Sequence, residues 1–418
     1  MFWKKYPLIF VLLLLLPGLL TLPRPAQASQ GMQAEGEFVR GELIVGMKAG
    51  TSLRALRLPA QVAIKHTSPQ LDRLNAALLS VPPGEEQKLA AELRRMGGVQ
   101  FAEPNYLVRP ALIPNDPRWG DQYGPAHMQA PQAWDLTTGS SSVIVAVIDS
   151  GIDSAHPEFN GRILPGYDFI EQDSIPQDGC GHGTHVAGIL AAEGNNAMGI
   201  AGLAWGVSIL PVRALGNYCV GTVLGVAEGI VWAVERGARV INLSVGTTAA
   251  SSLLENSTYH AYLHGAALFA AAGNAGTNSI IYPARYPWVM AIGATDSTDQ
   301  RASFSNTGPE LDLMAPGKDI LSTTPLGAFF YETYGVTRQY GTLSGTSMAT
   351  AHASGAAALL ASQPQFDTPD KIYQALTQTA LDLETPGWDN NTGYGLIQIY
   401  DALNFTPNIV PTPTPGPP

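Results

Sequence analysis

From about residue 119 to 405 the chain alternates short, almost unbroken apolar runs with longer helical stretches. The runs Val143 to Ile148, Ile209 to Val212, Val240 to Leu243, Ala267 to Ala271 and Val289 to Ile292 predict strands. Thr184 to Ala192, Gly221 to Glu235 and Met348 to Ser362 predict helices. Strands that are apolar at nearly every position are covered on both faces. The pattern therefore predicts an α/β fold with a mostly parallel, doubly covered sheet. Ligands of such sheets bind beyond the carboxyl ends of the strands.

An earlier stretch reads differently. Glu42 to Gly46 and Ala76 to Val81 predict strands, and Pro82-Pro83-Gly84 a turn. Glu85 and Glu86 open a helix that runs to about Met96, with Arg94 and Arg95 at its end, as the helix dipole favours. Val99 to Phe101 predicts a further strand, so residues 38 to 109 make a small α+β unit. Pro110, Pro114 and Pro117 with Asn115 and Asp116 are linker chemistry. Residues 29 to 36 read as an unstructured lead, and Pro411 to Pro418 as a Pro-Thr spacer without a core.

The N-terminus carries Lys4 and Lys5, an apolar core from Leu8 to Leu16, a Pro17-Gly18 break and the small-x-small site Ala26-Gln27-Ala28. This is an export signal, with a retained anchor as the alternative. The expected organisation is a signal peptide (1–28), a leading domain (29–110), a main domain (111–405) and a tail (406–418). The chain is expected to be secreted, extracellular and monomeric, with no membrane association after signal cleavage. A length of 418 residues suits two or three domains, and a formal charge of -11 argues against nucleic acid as a partner. Cys180 and Cys219 are the two cysteines; in an exported chain one pair suggests a disulfide, with free thiols or a metal site as alternatives. A bridge there would brace the loop before His182.

Three motifs carry candidate chemistry: Val147-Ile148-Asp149-Ser150-Gly151, Gly181-His182-Gly183-Thr184-His185 and Gly345-Thr346-Ser347-Met348-Ala349. Each sets one of Asp, His and Ser among glycine or small residues. A serine hydroxyl becomes nucleophilic when an imidazole takes its proton, and the imidazole needs an anion to orient it. Ser347 heads an Ala-rich helix whose free N–H groups favour an oxyanion. Asn274, in Ala271-Ala272-Gly273-Asn274, is a candidate oxyanion donor. Taken singly, Asp149 could be a turn residue and Ser347 an N-cap. His185 reads as a packed helix residue. The order Asp, His, Ser is the subtilisin order. An α/β-hydrolase would need its Asp and His after the serine, where only His352 follows.

With these motifs the chain resembles the subtilisin-like serine proteases, the subtilases, and in particular their thermitase-like members. Asn115-Asp116-Pro117, Gln122 to Pro125 and Ala130 to Trp134 resemble the start of the mature enzyme in that group. Residues 38 to 109, ending Glu103-Pro104-Asn105-Tyr106, resemble the family's ferredoxin-like propeptide-inhibitor domain. The resemblance implies a serine endopeptidase acting on proteins and peptides, made as a zymogen inhibited by its own propeptide. It implies substrate binding along Leu243, Ser244, Val245 and Gly246, opposite Ala271, Ala272 and Gly273, with Ile281 at the primary pocket's floor. It implies structural calcium at one or two sites. The first would use Asp116, Glu158 and the Asn196 side chain with the carbonyls of Glu193, Met198 and Ile200; the second Asp168, Asp173 and Gln177, with Glu171 nearby. Ala351 stands where the family commonly has Pro, and the two cysteines are a further departure. A non-catalytic binding module on the same fold, or a peptide ligase using the same acyl-enzyme, are the competing functions.

Overall fold

A computed structural model describes residues 38–53, 56–107 and 112–408. The expected export signal, the 29–36 lead and the 411–418 spacer lie outside the described residues. Among those residues no helix is long and apolar enough to cross a membrane.

The leading region folds as β1 (Phe38–Met47), β2 (Ala63–His66), β3 (Ala76–Ser80) and β4 (Val99–Tyr106). They form an antiparallel sheet ordered β2-β3-β1-β4, the strand order of the ferredoxin-like split βαβ fold. The helix Glu86–Arg94 buries Leu89, Ala90 and Leu93 against Leu43, Val45, Leu79 and Ala102 of the sheet. A second, short helix, Pro69–Arg73, lies between β2 and β3.

The main region is built on a seven-stranded sheet. Its strands are β5 (Ile144–Asp149), β6 (Tyr167–Asp168), β7 (Ser208–Arg213), β8 (Ala238–Leu243), β9 (Ala267–Ala271), β10 (Val289–Thr295) and β11 (Leu313–Pro316). They run parallel in the order β11-β10-β9-β8-β5-β7-β6. The expected mostly parallel, doubly covered sheet is what forms. Along β5, Val145 and Val147 enter one core while Ala146 and Ile148 enter the other, the period of two that a strand imposes. One face is covered by the helices His182–Ala191 and Thr346–Ala361, the other by Val223–Glu235 and Ser252–Leu263. A separate antiparallel hairpin, β12 (Ile320–Thr324) and β13 (Gln339–Leu343), stands beside the sheet.

Successive strands reverse direction of travel across the sheet at β5, with β7 on one side and β8 on the other. A crevice opens at the carboxyl ends of strands where this happens. Asp149 ends β5, Ser244 follows β8 and Asn274 follows β9, so the candidate residues meet at that edge.

Candidate active site

Asp149 is fully buried and His182 nearly so. The His182 Nδ1–H donates to Asp149 Oδ1 at 2.8 Å and lies 2.9 Å from Oδ2. The Ser150 N–H donates to the same carboxylate at 2.7 Å and fixes its plane. Burial disfavours a charged imidazole, but the Asp149 carboxylate outweighs it and, with Asp178, holds the His182 pKa above its ordinary value. His182 opens its helix rather than preceding it. A side chain at Gly183 would put its Cβ 2.1 Å from the Gly151 carbonyl, so only glycine allows the helix to press this close to the β5 turn.

The early helix start has a cause that the motif reading missed. Asp178, buried, accepts from the N–H groups of Cys180 (3.0 Å), Gly181 (2.7 Å) and Thr184 (2.9 Å). It also accepts from the hydroxyls of Ser150 (2.8 Å) and Thr184 (2.7 Å). It thus satisfies the orphan amides of the helix start. Burial pushes its pKa up, while these donors favour the ionised carboxylate. In sequence, its only trace was an acid four residues before His182, indistinguishable from a turn residue.

Ser347 lies in the first turn of the Thr346–Ala361 helix and is almost buried. Its hydroxyl donates to the Ser244 carbonyl at 3.2 Å, and the Ser244 hydroxyl donates back to the Ser347 carbonyl at 2.9 Å. Its hydroxyl therefore rests on the Ser244 carbonyl instead of the His182 ring. Asn274 Oδ1 accepts from Thr346 N–H and Oγ1–H, both at 2.8 Å, which caps this helix and starts it two residues earlier than the sequence suggested. That fixes the amide and leaves Asn274 Nδ2 and the Ser347 N–H without an acceptor among the described residues. A Cβ on Gly345 would come within 3.3 Å of Asn274 Nδ2 and 3.7 Å of Ser347 N, so the two free donors border one small space.

His182, Ser244, Val245 and Gly246 line a cleft of 540 Å³, with Leu215, Cys219 to Val223, Val226, Leu254, Pro283 and Tyr331 among its other walls. Leu243 does not belong to it. Its side chain is buried in the core, because strand alternation turns it away from the face that Ser244 presents. Ala271, Ala272 and Gly273 are buried and do not line the cleft either. Ile281 packs against both Gly246 and Gly273, closing the gap between these segments from below. His185 is buried with Nε2 near the carbonyls of Ile320 (3.0 Å) and Gly341 (3.2 Å). Burial and the His182 charge push it down to about 3, so it stays a neutral packing residue. His352 likewise is buried on the Met348 carbonyl. Cys180 and Cys219 are joined as a disulfide, Cα to Cα 5.6 Å, linking the segment before His182 to the cleft wall.

The predicted cation ligands divide. Asp116 and Glu158 are both buried, and among the described residues neither pairs with Lys or Arg. Asp116 accepts from the N–H groups of Asn195 and Asn196; Glu158 accepts from Ile200 N–H, Tyr340 OH and the Asn196 amide. Glu193 N–H is bound to the Glu158 carbonyl and Met198 N–H to the Asn196 oxygen. Burial and then the nearby Asp116 charge raise the Glu158 pKa. Two buried carboxylates without a counter-ion are costly, so these residues fit a cation. Asp168 does not. It is already neutralised by buried Arg213 and capped by Ile170 and Glu171 N–H groups, while Glu171, Asp173 and Gln177 are exposed. No group of three or more His, Cys, Asp or Glu gathers as a metal site among the described residues, so the first site would need amide and carbonyl oxygens beside its two carboxylates.

A buried acid on an imidazole, with a serine and two unused amide donors at the rim of a parallel sheet, is the layout of a serine hydrolase. Comparison with known proteins narrows that class. Residues 140–395 match the subtilase family and residues 24–105 the fervidolysin N-terminal prodomain. The chain is 41% identical over 376 residues to a thermophilic serine proteinase of Bacillus sp. (strain AK1), covering 89% of each. It is 44% identical over 295 residues to thermitase of Thermoactinomyces vulgaris, covering 70% of this chain and 99% of that protein. A solved protease of Pseudoalteromonas arctica PAMC 21717 superposes with a TM-score of 0.63 at 33% identity, covering 69% of this chain and 98% of that one. The chain belongs to the subtilase family. It is a serine endopeptidase with an N-terminal prodomain.

Proposed function

We propose that Asp149, His182 and Ser347 form the catalytic triad of a secreted endopeptidase. His182 takes the Ser347 hydroxyl proton as Oγ attacks the peptide carbonyl carbon. The imidazolium, stabilised by Asp149, then gives that proton to the leaving amine as the C–N bond breaks. Water repeats the sequence on the resulting ester. Asn274 Nδ2 and the Ser347 N–H receive the oxyanion. One such donor is worth about 10²–10³ in kcat, the range measured for the corresponding group in a subtilisin. The Asp149–His182 pairing carries this reading. For the step to proceed the Ser347 hydroxyl must leave the Ser244 carbonyl for the His182 ring; such catalytic bonds often form only when substrate binds.

Substrate lies extended beside Ser244 to Gly246, held by main-chain bonds. Its primary side chain enters toward Ile281, whose branched side chain shortens the pocket and favours medium apolar residues. A peptide library incubated with the mature protein should show Leu- or Met-like residues on the acyl side of the cut; a profile dominated by Arg or Asp would contradict the pocket assignment.

The precursor carries a signal (1–28), a propeptide (29–110) and a peptidase domain (111–405), and it matures by its own cleavage. One calcium ion, held by Asp116, Glu158, Asn196 and the carbonyls of Glu193, Met198 and Ile200, neutralises the buried acids and supplies stability rather than chemistry. EDTA is expected to lower the melting temperature by about 5–10 °C, the effect of removing a ligand present at a hundredfold its Kd. An unchanged melting temperature would contradict the site.

A further inference from the structure

Strands β12 and β13 pair from Ile320↔Leu343 to Thr324↔Gln339, which leaves 325–338 as their connection. Hairpin connections commonly hold about two to five residues, and much longer ones are usually functional. This one carries Phe329, Phe330, Tyr331 and Tyr334 and contains a 3-10 turn, Phe330–Tyr334. It is docked on the segment before His182. Phe330 N–H donates to the Gly179 carbonyl at 3.0 Å and Tyr331 N–H to the Cys180 carbonyl at 3.1 Å. The Tyr331 ring lies 6.4 Å from the His182 ring, centroid to centroid. Phe330 meets Tyr218 edge-on at 5.3 Å, and Tyr218 adjoins Cys219, whose disulfide returns that wall to Cys180. The His182 end of the cleft is therefore walled on both sides by elements fastened to one segment.

We propose that the 325–338 loop is a specificity element and that Tyr331 reads the substrate residue just N-terminal to the one in the primary pocket. This rests on the peptidase reading above. In an extended peptide, successive side chains point to opposite sides. If one enters toward Ile281, between Gly246 and Gly273, its N-terminal neighbour faces the other way, toward the cleft that His182, Leu215 and Tyr331 line. Burial, then the charges of Asp149 and Asp178, push the Tyr331 hydroxyl pKa up, so the ring stays neutral. Asp149, Asp178, neutral His185 and Tyr331 are the titratable groups around His182. The two carboxylates bias the subsite against acidic side chains. The subsite takes a leucine- or phenylalanine-like side chain laid on the Tyr331 face.

Four peptide amides that differ only at this residue (Leu, Phe, Ala, Asp), assayed with the full chain after maturation, test the idea. Wild type is expected to prefer Leu or Phe to Ala by about tenfold in kcat/KM, and to cut the Asp peptide least. Tyr331→Ala should bring the Leu and Phe peptides close to the Ala peptide, whose own loss is smaller, while Tyr331→Phe keeps the preference. Equal losses on all four peptides, or a wild-type preference intact in Tyr331→Ala, would overturn the proposal. Matched melting temperatures for Tyr331→Phe and wild type show that the loop is in place. A wild-type protein that cuts none of the peptides, nor casein, would overturn the peptidase reading itself.

Discussion

Ser347→Ala is expected to lower kcat by about 10⁶, the size of loss seen when a triad nucleophile is removed. The variant keeps the fold. It loses only the hydroxyl bond to the Ser244 carbonyl, worth about 1 kcal/mol net, while the reciprocal bond from Ser244 ends on its backbone and survives. The same substitution should stop maturation. Wild type is expected to shed a folded precursor segment of about 80–90 residues beyond the signal, and Ser347→Ala to remain a full-length precursor when intact masses are compared. A variant that still shortens at the wild-type rate, expressed alone, would place the nucleophile elsewhere.

Asp149→Asn should cost about 10⁴ in kcat with little change in KM. The substitution is nearly isosteric, so the loss is electrical. An amide at this place no longer stabilises the imidazolium and favours the wrong ring tautomer. A second readout separates this from misfolding. His182 must be neutral to act as base, so activity falls as pH drops through its pKa. In the wild type, despite burial, the Asp149 carboxylate holds that pKa above the ordinary imidazole value, so the acid limb of kcat/KM stands at correspondingly high pH. Without that carboxylate the limb should move to lower pH, with Asp178 left as the remaining raising charge. A limb that stays in place, measured on the residual activity, would mean that Asp149 does not set the His182 charge.

The strands of the sheet interior were legible because they are apolar on both faces; Ala267–Ala271 is found at its expected limits. The edges were not. Tyr167–Asp168 and Leu313–Pro316 are too short to show a period, and the helix Ser252–Leu263 mixes polar and aromatic residues without a clean stripe. Helix starts shifted where a distant side chain supplies the cap. Asp178 draws the His182 helix back, and Asn274, far away in sequence, does the same for the Ser347 helix. The motifs named Asp149, His182 and Ser347 as candidates but gave no sign of Asp178 and Asn274 as the caps of the two helices that carry His182 and Ser347. The resemblance implies Leu243 beside the substrate with Ser244 to Gly246, whereas strand alternation turns its side chain into the core. The resemblance implies a second cation site around Asp168, and no pattern along the chain shows that Arg213, on another strand, pairs with that carboxylate. The aromatic 325–338 loop left no periodic signal at all, and only its docking on the His182 segment gives it meaning.

Covalent labelling tests the account most directly. The mature protein is treated with a fluorophosphonate, digested, and the adduct mapped, with His182→Ala alongside. The expected result is a single adduct on Ser347 that is absent or greatly slowed in His182→Ala. An adduct on another residue, or casein hydrolysis by a preparation in which Ser347 stays unmodified, would contradict it.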